Sequence, residues 1–430
     1  MGEMTIISQP TGPTGTDAEQ RALLLHAQYV KQVEDGYGDQ KLSSTPHEPL
    51  AFKVVAVMYS WFVTGMHVAS IGALLPLIES YYDIKDATAA LIFPVGVSGY
   101  LIGNSLVHLV HVKFGRRGIA VLGTLPHVVG GIILSSKPGY PFLLAAYFIT
   151  GFGTGFSDSS FCTWAAVVRG SNKVSGLIHG SYAFGCVVGP VVVAALEKAG
   201  LGWQYFYFVM LVVFVVETWT LIVAFRHDDA ATHHSKLSPK QDPVGGFAGC
   251  KEVIFMCGVF FFVIVGIETS LSGWLTSYME RSRHTAPSVA ALATSLFWCG
   301  MVLGRFCLGP LTRLARLRNV VILLICTLIA LQLLFRFEGP LALSLCLAAG
   351  IGFASGPLFP SAVLTMTAKL PTDIQLPAVA LTCAIGQLGG AGAPFVIGII
   401  AQSSGIESLF DVVLGLSLAL LLIWLVFSRA

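Results

Sequence analysis

Charge is what this sequence has least of. Asp, Glu, Lys and Arg make up 11% of the 430 residues, under half of the roughly 25% typical of a soluble chain. A surface so thinly charged cannot face water, and with 55% hydrophobic residues the chain reads as a multi-pass membrane protein. Other absences narrow the function. The basic residues form no stripe, which excludes a nucleic-acid partner. The three asparagines, Asn104, Asn172 and Asn319, head no N-x-S/T sequon, which excludes glycosylation. The nine cysteines include no CxxC pair and lie almost all in apolar segments, so reduced core thiols are expected rather than metal or redox ligands. There is no Walker A, HExxH or GxSxG motif and no polar stretch large enough for a catalytic domain, so no enzyme, cofactor or metal is expected. No short apolar run follows a basic start, so no cleavable signal peptide is expected, and residues 1–50 read as a disordered cytoplasmic tail.

What is there is apolar sequence in span-length runs. A span needs about 20 apolar residues. That rule places twelve, at 53–82, 87–110, 117–136, 140–168, 174–198, 203–225, 251–279, 288–312, 319–336, 340–368, 375–403 and 407–428. The polar stretch at 226–250 divides them into a bundle of six over 51–225 and a bundle of six over 251–430. Lys and Arg concentrate in alternate loops (Lys113, Arg116, Arg117, Arg169, Lys173, Arg226, Lys236, Lys240, Arg313, Arg316, Arg318, Lys369), which puts both termini and the 226–250 linker in the cytoplasm. The two halves also resemble each other. Gly65 and Gly72 recur as Gly266 and Gly273, and G-Y-L-I-G-N (Gly99–Asn104) as G-M-V-L-G-R (Gly300–Arg305), all 201 residues on. G-F-G at 151–153 pairs with G-I-G at 350–352 at an offset of 199, and Gly189–Pro190 with Ala393–Pro394 at 204. Near-constant offsets in order indicate two related halves, the plan of secondary transporters.

The motifs G-F-G-T-G-F-S-D (151–158), H-G-S-Y-A-F-G (179–185), V-G-I-E-T-S-L-S-G-W-L-T-S-Y (265–278), F-W-C-G-M-V-L-G-R (297–305) and G-P-L-F-P (356–360) resemble the major facilitator superfamily. More narrowly, the chain is similar to the branch containing the fucose permeases and the sodium-dependent glucose transporters, which has many fungal members. The resemblance covers the membrane part and implies an all-α fold of twelve transmembrane helices in two pseudo-symmetric bundles. There are departures. Val112 stands where the superfamily's loop signature has Asp before R-x-G-R-R, here K-F-G-R-R, and Thr312 holds the equivalent place in the second half. Cys162 stands where relatives tend to have Asn. Incomplete gating charge pairs and an altered substrate are the implied consequences.

Glu268 is the principal candidate residue. An acid midway along the run 253–278 costs about 2.5–3.5 kcal/mol to insert, so intramembrane acids face cavities or partners and are functional by default. Its neighbours Gly266, Ser270, Ser272 and Gly273 let another helix approach closely. It could exchange a proton with each cycle or coordinate a cation; the bland alternative is a protonated, hydrogen-bonded structural acid. Asp158, among Ser157, Ser159 and Ser160, could bond substrate hydroxyls or take up a proton, against a plain helix–helix clamp. His179 is a relay or substrate donor, against an interfacial histidine. Trp274, Tyr278, Trp298, Trp164 and Gln387 could form a sugar-binding surface, against the aromatic belt for the tryptophans. Arg305 and Asn104, at equivalent repeat positions, read as gating residues, with snorkelling the alternative for Arg305. Arg116 and Arg117 belong to the loop signature and its gating role. Glu217 reads as snorkelling toward Arg226, and His67 and His127 as structural.

Together these point to a monomeric secondary transporter working by alternating access in the plasma or an internal membrane. Its substrate would be a small polar, sugar-like solute, coupled to a proton (or sodium) through Glu268 or Asp158. One alternative is proton-driven efflux of an amphipathic metabolite, which the Phe-rich spans suit. Another is a non-transporting nutrient sensor, for which the fifty-residue tail is the one signalling arm in view.

Overall fold

The computed structural model describes residues 49–168, 171–230, 250–314, 316–337 and 339–429. The expected tail (1–48) and most of the linker (231–249) lie outside the described residues, as do the side chains of Thr312 and Arg313. Every regular element described is helical: α1 (Leu50–Tyr82), α2 (Asp86–Ala89), α3 (Ile92–Ser135), α4 (Tyr140–Val167), α5 (Ser171–Lys198), α6 (Gln204–Phe225), α7 (Lys251–Arg281), α8 (Pro287–Leu314), α9 (Leu317–Arg336), α10 (Leu341–Ser355), α11 (Leu358–Lys369), α12 (Thr372–Ser404) and α13 (Ser408–Phe427). In hydrocarbon a backbone must satisfy its own N–H and C=O groups, and apolar runs of this length can do so only as helices.

Ten of these stretches are long and apolar enough to cross a membrane. One of them, Asp86–Ser135, contains two rods that meet at Gly115, where φ is 66° and ψ −162°. A side chain is poorly tolerated at that φ, and a Cβ there would also run into the backbone of Asp228 and Asp229. The expected spans 87–110 and 117–136 are these two rods, making eleven such apolar rods among the described residues. The expected span 140–168 is α4, a continuous 28-residue helix. Its G-F-G-T-G-F-S-D-S-S stretch leaves it less apolar than the others. The expected span 340–368 is divided into α10 and α11 by Gly356–Pro357.

Helices of residues 50–225 pack on one another, α3 against α4 and α6, and α1 against α5 and α6. In residues 251–427, α7 packs against α12 and α13, and α8 against α10. The two sets meet through α1 with α7, α5 with α8, and α2 and α3 with α12.

Glycines set the close crossings, and they recur between the sets. The missing Cβ of Gly99 faces the Phe148 carbonyl and that of Gly300 the Ala349 carbonyl; Gly103 faces Phe152 and Gly304 faces Phe353; Gly151 faces Gly96 and Gly352 faces Phe297; Gly155 faces Tyr100 and Gly356 faces Met301. Each pair of contacts is related by the 201-residue offset. The expected match of Gly151 to Gly350 is thereby corrected: its equivalent is Gly352, because contact geometry and not the G-x-G pattern sets the register.

Candidate functional site

Where α1 and α7 cross, Gly72 has no Cβ to obstruct the Ser272 carbonyl and the Cα of Gly273, and Gly273 itself leaves room for the Phe93 ring. These two repeat-equivalent glycines let the halves touch backbone to backbone. Toward the Arg281 end of α7 the contact continues as a seal. Trp274 is fully buried, donates Nε1–H to the Pro394 carbonyl at 2.9 Å and lies beside Phe93, with ring centroids 6.5 Å apart. Arg281 donates to Glu79 Oε2 and, at 2.6 Å, to Asp86 Oδ1, joining α7 to α1 and α2. Ala87 N–H donates to Gln402 Oε1 at 3.3 Å. Trp274, expected in a substrate surface, is thus part of a wall between the halves; a fully buried ring with its donor satisfied has no face to offer a ligand.

Glu268 lies on α7 short of this seal, 8% exposed, and its Oε1 has no hydrogen-bond partner. Across from it is Arg305 of α8, within electrostatic range of Glu268 and also of His179, Tyr182 and Cys186 on α5. Arg305 donates to Met301 Sδ at 3.4 Å, a weak acceptor, and its Nε is unpaired. It therefore faces α5 and α7 rather than snorkelling away. His179 is exposed and meets the Trp61 ring edge-on at 4.7 Å; Trp61 also meets Tyr182, which meets Trp298. Trp298 donates to Ser272 Oγ at 2.9 Å. Glu268, Arg305, His179, Tyr182, Trp61 and Trp298 thus gather where the two halves meet.

Asp158 on α4 is half-buried and accepts from Tyr100 Oη at 2.6 Å. It lies within electrostatic range of Cys162 and, from α12, of Cys383. Tyr182 is within electrostatic range of both Asp158 and Arg305, so one tyrosine stands between the two groups. Gln387 is half-buried on α12, one turn from Cys383. An apolar groove lined by Leu122, Pro126, Val129, Phe148 and Phe152 lies apart from these residues and offers no polar group.

Four expected site residues are placed elsewhere. Trp164 is buried against Phe225, centroids 5.6 Å apart, in a core cluster with Phe161 and Ile178. Asn104 accepts from Ser159 Oγ and so clamps α3 to α4 within one half. Arg117 N–H donates to the Asp228 carbonyl at 3.0 Å, and Arg116 is within electrostatic range of Asp228, whose carboxylate pairs with Lys53 at 2.9 Å. Asp228 thus places an acid beside Arg116 near where Val112 stands in place of the signature Asp, and these contacts lie within the first half.

Sequence reasoning missed Tyr100, Tyr182, Trp61, Glu79, Asp86 and Arg281. Glu79 carried a signal, since its position is equivalent to Glu280 at the 201 offset. Glu217 was misread. It is fully buried, accepts from Ser60 Oγ at 2.6 Å and lies 3.0 Å from His127 Nδ1. Nine residues of helix separate it from Arg226, about 13 Å, too deep for snorkelling.

The Major Facilitator Superfamily model matches residues 57–281. Over 396 residues the chain is 24% identical to Bypass of stop codon protein 6 of Saccharomyces cerevisiae, covering 83% of this chain and 78% of that one. It is 24% identical to the glucose/mannose transporter GlcP of Bacillus subtilis, covering 79% and 86%. Its fold is similar to that of a bacterial homologue of the human lysosomal transporter Spinster in an inward-facing, unoccupied conformation, with TM-score 0.71 at 13% identity, covering 88% and 97%. With more than half of its length matching the family model, the chain belongs to the Major Facilitator Superfamily, and it is a multi-pass membrane transporter of that superfamily.

Proposed function

We propose that this transporter moves a small, polar, sugar-like solute by alternating access, coupled to a proton through Glu268. The observation that carries this reading is the orphaned Oε1 of a buried acid facing Arg305 where the halves meet. A buried polar atom left without a partner costs about 1–3 kcal/mol, which a fold tolerates where another group uses the atom. Ionised, Glu268 compensates Arg305. Protonated, it releases the guanidinium, whose fork of donors can then hold substrate hydroxyls. Tyr182 and Asp158 extend the polar surface into the first half, and the buried rings of Trp61 and Trp298 pack against Tyr182 beside it. Likeness to a glucose/mannose transporter supports the solute class. The basic-loop asymmetry supports a cytoplasmic Lys53 end, and on that reading the seal at Arg281 closes the outer side. Likeness to an inward-facing structure supports the same reading.

The test is uptake of a panel of hexoses, pentoses and polyols into proteoliposomes, with and without an imposed pH gradient. Gradient-driven accumulation of one member, abolished in Glu268→Gln with exchange retained, supports the reading. Accumulation unaffected by Glu268→Gln overturns it.

A further inference from the structure

Most arginines toward the Arg281 end of the molecule are answered. Arg281 and Arg336 each hold a carboxylate, and Arg283 donates to two backbone carbonyls. Arg305 of α8 is not. Among the described residues its hydrogen bond goes to Met301 Sδ, its Nε has no partner, and no carboxylate lies at ion-pair distance. A guanidinium does not give up its proton in a protein. This half-buried side chain therefore always brings a positive charge to where the halves meet.

The helices packed on α8 supply little to balance it. α5 brings His179, Tyr182 and Cys186 into electrostatic range, none of them an anion at neutral pH. α10 has no charged residue and no histidine along 341–355, and α9 adds only Arg318 and Arg336. On α1, Lys53, His67 and Glu79 are bonded elsewhere, to Asp228, Thr150 and Arg281. Asp158 of α4 is surrounded by Tyr100, Cys162 and Cys383 and is linked to Arg305 only through Tyr182. That leaves Glu268 of α7 as the one acid facing Arg305, with its Oε1 bare.

A proton arriving on Glu268 withdraws this balance. The hydroxyls of a neutral solute would satisfy the hydrogens of the guanidinium and leave its charge uncompensated. A carboxylate would answer both, because the planar fork of Arg meets it with two parallel hydrogen bonds. Asp158 would repel that carboxylate and accept hydroxyls, as it accepts from Tyr100, which orients such a solute across the site.

We propose that the transported solute is a sugar acid, a monoanion of the uronic or aldonic class, whose carboxylate replaces that of Glu268 on Arg305. The assignment rests on Glu268 being the coupling acid and narrows the solute that it serves. One proton and one anion enter together, so the charge around Arg305 is the same before and after. Transport is then electroneutral, whereas a neutral hexose carried with a proton would move one positive charge.

The test is calorimetric titration of the full chain in detergent with D-galacturonate, D-glucuronate and D-gluconate, with hexoses as controls, from neutral to alkaline pH. The wild type should bind a sugar acid with uptake of one proton, so its affinity falls about tenfold per pH unit on the alkaline side. Glu268→Gln, a fixed mimic of the protonated acid, should bind at least as tightly at every pH and show no such fall. Arg305→Gln should weaken binding by about tenfold or more. Loss of anion binding in Glu268→Gln, or a fall parallel to the wild type, overturns the proposal. If that variant does not fold, proton uptake by the wild type decides, read from heats in buffers of different ionisation enthalpy; none taken up overturns it. In proteoliposomes, pH-driven uptake of the sugar acid should be indifferent to a potassium–valinomycin potential. Gradient-driven hexose accumulation without sugar-acid binding overturns this assignment and leaves Glu268 as the coupling acid, whereas neither solute binding or accumulating overturns both.

Discussion

The two halves share a glycine framework and treat a buried acid in opposite ways. In the first half Glu217 has a partner on each oxygen, Ser60 on one and His127 on the other. In the second half Glu268 keeps one oxygen bare. The repeat position equivalent to Glu268 at the 201-residue offset is His67, so the carboxylate is not part of what the halves have in common. The lesson is that a carboxylate's depth in the membrane says less than its partner count. A satisfied acid clamps helices; an unsatisfied one is available for work.

The contrast can be broken or sharpened experimentally. The largest effect is expected at Glu268: its change to Gln removes gradient-driven accumulation by more than tenfold in proteoliposomes while leaving the melting temperature near that of the wild type. Glu217→Ala should do the reverse, lowering stability by about 2 kcal/mol through the orphaned His127 Nδ1 and Ser60 hydroxyl, read as a lower melting temperature in detergent. If the two variants show the same balance of stability and transport loss, the comparison fails. Gly72→Ala pushes a methyl into the Ser272 carbonyl. Such overpacking costs about 1–3 kcal/mol, and cysteine labels near Glu79 should become more accessible as the sealed state is disfavoured. Arg281→Gln should act in the same direction but more weakly, by about 1 kcal/mol or about fivefold in the equilibrium, because a partly exposed pair is screened. Trp164→Phe should leave solute affinity unchanged in a binding titration, since the ring packs in the core of one half.

Much of the architecture was legible because composition and spacing encode it directly. Apolar runs of span length leave no alternative to helices, and glycines that face backbone carbonyls must recur wherever the packing recurs. Glu268 stood out because an acid in an apolar run is chemically conspicuous. Tyr182 and Tyr100 did not, since a tyrosine in a span is ordinary until packing puts it beside an acid. The tryptophans misled for the same reason. Trp274 and Trp61 are alike as sequence, yet one is walled in by Pro394 and Phe93 while the other meets His179 and Tyr182. Asp228 was invisible as a neighbour of Arg116 because it comes from a different loop, more than a hundred residues away.

The crossing of Gly72 on Gly273 has a mechanical consequence. Helices in backbone contact have the least room to slide, so that point is the natural fulcrum for any rocking of one half on the other. Along α1 it lies about 10 Å from Glu79 and about 28 Å from Lys53. The arms of this lever are unequal. The same rotation should carry a probe at the Lys53 end nearly three times as far as one at the Glu79 end, and inter-half distances measured with paired labels at both ends should change in that ratio.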